Sequence, residues 1–83
     1  MDTYMSISSP QCRGARAMLG MSQRDLAAAA EVAPRTLADF ETGARQPHPR
    51  TLAAIQATLE AAGVEFIPEN GGGAGVRLRK ADT

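Results

Sequence analysis

Arg35, Ala38, Asp39 and Thr42 stand at i, i+3, i+4 and i+7, a spacing that puts all four on one face of a helix. A guanidinium fork with a carboxylate one turn later is equipment for hydrogen-bonded recognition. The plainer reading is a solvated surface pair worth only a few tenths of a kcal/mol. Groups that make and break bonds are sparse. His48 is the only His, and no second ligand type clusters near it, so no metal site is expected. Cys12 has no His nearby and reads as a packed helical residue. The run Gly71-Gly72-Gly73-Ala74-Gly75 lacks the Gly-Lys-Ser/Thr ending of a phosphate loop and opens no helix, so it reads as a flexible turn. No Ser, Cys or Lys sits in a nucleophile–base arrangement. Neither enzymatic activity nor a cofactor is expected.

Helices must position that stripe. Met1 to Ser8 read as a flexible arm. Ser9-Pro10 reads as an N-cap with Pro at the first helical position. A first helix then runs to about Leu19, with Gly20 as its C-cap. Gly14 lies inside it and costs about 1 kcal/mol against Ala unless it permits close packing. Ser22-Gln23-Arg24-Asp25 has capping-box spacing and opens a short, alanine-rich second helix over Gln23–Ala30. A tight turn at Glu31-Val32-Ala33 leads to Pro34, which opens the third helix; Gly43 closes it after Thr42. On that helix Leu37 and Phe40 share the core side. A fourth helix runs from Pro49 to about Ala62, with Leu52, Ile55 and Leu59 at helical spacing. The period then drops to two in Val64-Glu65-Phe66-Ile67 and again in Val76-Arg77-Leu78-Arg79, with a turn-rich loop between, which predicts a β-hairpin.

The chain has 83 residues, and 43% are hydrophobic, which suits one small globular domain. A single Cys rules out an intrachain disulfide and fits a reducing cytoplasm. No signal peptide is visible over Met1–Ser9, and the longest mainly apolar stretch is far too short to span a bilayer. A cytoplasmic protein with no membrane partner and no evident small-molecule ligand is expected. The formal net charge is zero, which argues against a non-specific nucleic-acid coat.

Two short helices joined by a three-residue turn form a helix-turn-helix pattern. Met21-Ser22-Gln23-Arg24-Asp25-Leu26-Ala27, then Val32, Thr36-Leu37, Phe40-Glu41-Thr42-Gly43, Arg45, Pro47 and Leu52 together resemble the phage-repressor (Xre/Cro) family. The resemblance covers about Gln11 to Leu59. It implies a mainly α fold, a lambda-repressor-like helix-turn-helix bundle of four helices, here with a C-terminal β-hairpin. It also implies binding to a double-stranded DNA operator and control of transcription, with repression by occlusion the simplest mode. In that reading Arg35 fits the O6 and N7 of guanine, Asp39 holds the fork or accepts from cytosine, and Ala33 or Thr36 touches a thymine methyl. The family's first residue of the second helix matches Gln23, a contact to the DNA backbone. Thr42 and Arg45 match phosphate-clamping loop positions, and Arg24 and Arg50 are further backbone candidates. Arg16 and Glu41 match a buried structural pair between the first and third helices. Ala33 and Pro34 depart from the family, which has polar residues there; direct base readout is correspondingly thin.

The expected domains are an arm over 1–8, a DNA-binding domain over 9–63 and a dimerisation hairpin over 64–80. An isolated hairpin is marginal in water. Val64, Phe66, Ile67, Val76 and Leu78 are therefore expected to pair with a second copy in a homodimer, placing two reading helices about 34 Å apart. The alternatives are a hairpin folded back on its own helices, and a protein-binding antitoxin or antiactivator that keeps the helix-turn-helix scaffold.

Overall fold

The computed structural model describes residues 6–80. Four helices precede a hairpin: α1 Ser9–Leu19, α2 Gln23–Ala30, α3 Pro34–Thr42, α4 Pro49–Ala62, β1 Val64–Ile67 and β2 Gly75–Leu78. Leu26, Leu37, Ile55 and Leu59 are fully buried, one or two from each of α2, α3 and α4. Each such side chain stabilises the fold by about 1.5–3 kcal/mol relative to exposure. Ala27 and Ala30 are buried too, so the small side chains of α2 admit its neighbours closely.

The entry to α1 differs from the sequence expectation. Its N-cap is Ser8, whose hydroxyl accepts from Gln11 N–H while the Gln11 side chain accepts from Ser8 N–H, a reciprocal capping box. Pro10 thus lies one position deeper than predicted. Ile7 is 2% exposed and belongs to the core, so residues 7 and 8 are not part of an arm. Residues 1–5 of the expected arm lie outside those described. At α2, Ser22 accepts from Asp25 N–H. At α4, His48 Nδ1 accepts from Arg50 N–H.

The hairpin is antiparallel, with Val64 opposite Leu78 and Phe66 opposite Val76. Directly opposed residues share a face, and that face turns back onto the chain's own helices. Val64 is completely buried, and Phe66 and Val76 pack against the same core. This corrects the expectation that these three await a second chain: α1 and α4 already cover them. Ile67 is half-buried, and Leu78 remains 55% exposed. Gly14 explains the close approach. A Cβ there would lie 3.3 Å from Val76 Cγ1, so the missing side chain seats β2 on α1. Gln11, 6% exposed, fastens the other end by donating to the Ile67 and Gly75 carbonyls at 3.3 and 2.8 Å.

Candidate nucleic-acid interface

The α2–α3 connection is tight because Glu31 adopts left-handed backbone, φ 59° and ψ 44°. Its N–H and that of Val32 then close back on the Ala28 and Ala27 carbonyls. Ala33 is the N-cap of α3, without a side-chain cap, and Pro34 follows. Leu37, Phe40 and Glu41 turn inward.

A polar stripe on α1, at Ser9, Cys12, Arg13 and Arg16, grips the C-terminal half of α3. Ser9 Oγ donates to the Phe40 carbonyl at 2.6 Å, and Arg13 donates to the Glu41 carbonyl. Both carbonyls belong to the last turn of α3, where intrahelical donors run out. The Glu41 side chain, 2% exposed, collects the rest. Arg16 donates to its two oxygens at 2.8 and 2.7 Å, Cys12 Sγ donates at 3.1 Å, and Gln23 Nε2 donates at 2.9 Å. Burial pushes the Glu41 carboxyl upward, but hydrogen bonds from Arg16, Gln23 and Cys12, with the Arg16 charge, outweigh it and leave its pKa below the ordinary value. Burial first, then the hydrogen bond and charge of Glu41, push the Cys12 thiol up to about 12, so it stays a donor at neutral pH. The hydrogen bond to Glu41 raises the already high pKa of Arg16.

The outer side of α3 is free by contrast. The Arg35 side chain is 86% exposed and that of Asp39 25%. Arg35 Nε donates to both Asp39 oxygens, at 3.2 and 3.3 Å. Thr36 and Ala38 are half-buried, while Ala33 and Thr42 are exposed. Thr42 Oγ1 donates to the Asp39 carbonyl at 3.2 Å and accepts from Ala44 N–H. Gln23 commits one side-chain N–H to Glu41, which leaves it a second. Arg24, Arg45 and Arg50 are exposed, and their side chains make no ion pair among the described residues.

The fold therefore brings Arg16, Gln23 and Glu41 into one network and Arg35 and Asp39 into another. Arg24, Arg45 and Arg50 join neither through their side chains. The parts played by Ser9, Gln11 and Arg13, and the bond from Cys12 to Glu41, escaped the sequence reading. A signal existed: Ser9, Cys12, Arg13 and Arg16 repeat at i, i+3, i+4 and i+7.

Among the described residues, no helix is long and apolar enough to cross a membrane. A family model described as helix-turn-helix matches residues 13–65, more than half of the chain. No curated protein matches it.

Proposed function

We propose, on the premise that this chain belongs to the Xre/Cro-type helix-turn-helix family of DNA-binding regulators, that it represses transcription by occupying a specific two-fold operator as a homodimer. The observation that carries this reading is the two-sidedness of α3. Its inner side is fixed to α1 through Glu41, while Arg35 projects 86% exposed from the outer side. A helix held this way suits entry into the major groove, which admits one helix. Arg35 is the base reader, with Asp39, Thr36 and Ala33 beside it. Gln23, Arg24, Thr42, Arg45 and Arg50 approach phosphates. Gln23 meets the backbone through its second amide N–H and through the N-terminus of α2. Ala33 and Pro34 offer no hydrogen bonds to base edges, so DNA shape contributes to operator choice.

The second copy docks on the rim of the hairpin, at the end where Leu78 stands opposite Val64. Leu78 is the large apolar side chain left exposed there, and a two-stranded sheet leaves an outer edge on each strand. Val64, buried in its own protomer, takes no part.

Selection of bound sites from random DNA, followed by band shifts with the selected sequence, tests the reading. Paired half-sites, lost binding in Arg35→Ala and a steep fall in affinity with salt are expected. A Leu78→Asp variant that sediments as a monomer and binds single half-sites supports the hairpin interface. Absence of any selected sequence, with a protein co-purifying instead, replaces this reading with the protein-sequestering one.

A further inference from the structure

Arginine carries five N–H donors: one on Nε and two on each terminal nitrogen. In Arg35 only Nε is engaged, shared between the two Asp39 oxygens. Asp39 is the more buried member of this pair, its side chain 25% exposed against 86% for Arg35, and its backbone is held in the last turn of α3. Its carbonyl accepts from the backbone N–H of Ala44 at 2.9 Å and of Arg45 at 3.3 Å, and from Thr42 Oγ1 at 3.2 Å. The residues after it, Phe40 and Glu41, are buried. The Arg35 stem is long, exposed and otherwise free to swing toward a phosphate.

We infer that Asp39 is a positioning residue that sets base preference through Arg35 and needs no base contact of its own. This rests on the reading that Arg35 faces the major groove. The carboxylate occupies the Nε side of the guanidinium, so a base meets the fork end-on, through the two terminal nitrogens. Two parallel donors match O6 and N7 of guanine. Adenine offers an acceptor beside a donor, and thymine one acceptor beside a methyl group. The same carboxylate repels phosphate, which closes the sequence-independent alternative for Arg35. The operator half-site therefore carries a guanine opposite the first turn of α3, and preference for it depends on Asp39.

The experiment measures affinity of the full chain for the selected operator and for the three versions differing only at that base, alongside scrambled DNA. Wild type, Arg35→Ala, Asp39→Ala and Asp39→Asn are compared, with thermal melts as the folding control. Wild type prefers guanine by about tenfold or more, the range of a bidentate contact. Arg35→Ala abolishes the preference. Asp39→Ala reduces it to about twofold, while binding to scrambled DNA holds or rises because a charge that repels phosphate is gone. Asp39→Asn keeps an acceptor for Nε and restores most of the preference. Asp39→Ala with full guanine preference overturns the inference and leaves the reading of Arg35 intact. So does an equal loss on every sequence, or a failure of Asp39→Asn to restore the preference. A base preference that survives Arg35→Ala overturns the reading itself.

Discussion

Gln11 and Gly75 lie 64 positions apart and are joined by a 2.8 Å hydrogen bond from the Gln11 side-chain amide to the Gly75 carbonyl. The same nitrogen reaches the Ile67 carbonyl, and the amide oxygen of Gln11 receives Ser8 N–H. One buried side chain thus closes the cap of α1 and holds both strands of the hairpin. Gln11→Leu keeps the volume and removes all three bonds. We predict a loss of about 1–3 kcal/mol in urea denaturation, the cost of stranding buried polar groups. Amide exchange in β1 and β2 should accelerate before that of α2–α4.

Arg16→Met leaves Glu41 charged and 2% exposed, without its guanidinium. The expected cost is about 3–5 kcal/mol, since breaking a buried pair uncovers the desolvation penalty of the remaining charge. Adding Glu41→Leu removes that charge, so the double variant should lose less than the sum of the two single losses. Equilibrium denaturation of all four proteins gives the coupling directly. Strict additivity contradicts the pairing.

Acid should find the same site. The Glu41 pKa is lower in the folded protein than in the unfolded chain, because its donors favour the carboxylate. The unfolded state therefore takes up a proton first as pH falls. The stabilisation from Glu41 is complete above the unfolded carboxylate value, about 4.3. It drains away as pH drops from there through the folded value. Denaturation midpoints from pH 7 to pH 2 should fall steeply below that point in wild type. Glu41→Gln, already weaker at pH 7, should show a shallower decline.

The helices were legible because caps and apolar periodicity are local signals. Pro34 and Pro49 mark the starts of α3 and α4, while Gly20, Gly43 and Gly63 mark the ends of α1, α3 and α4. Leu37 and Phe40 told the inner side of α3 from the outer. What stayed hidden were pairings across the chain. Nothing near Gln11 announces a bond to residue 75, and nothing within the hairpin says which surface covers Val64. Gly14 carried a hint, as a costly residue inside a helix, but its partner Val76 lies in another element. Ile7 and Ser8 were misplaced because Ser8-Ser9-Pro10 offers two caps, and only Ser8 has Gln11 at the distance that returns the bond.

Glu31 holds left-handed backbone with a full side chain, which costs a residue with a β-carbon roughly 1–2 kcal/mol. Glycine removes that penalty and gives back part of the gain through its freer unfolded chain. Glu31→Gly should therefore raise stability by about 0.5–1 kcal/mol. Its melting temperature should rise, with operator affinity within a factor of about two of wild type. A lower melting temperature would mean that the exposed carboxylate makes an unrecognised contact.

The asymmetry of α3 bears on how such a protein changes its target over generations. Everything the bundle needs from this helix enters through Leu37, Phe40 and Glu41, whereas positions 35 and 42 carry little of the packing. Sequence drift there is nearly free of folding penalties, because exposed substitutions rarely move stability by more than about 0.5 kcal/mol. On the proposed reading, a change at position 35 alters the address and a change at 42 alters the grip on phosphate, each a single step from a scaffold that remains intact at every stage. A laboratory library confined to those two positions, together with 39, should yield many well-folded members.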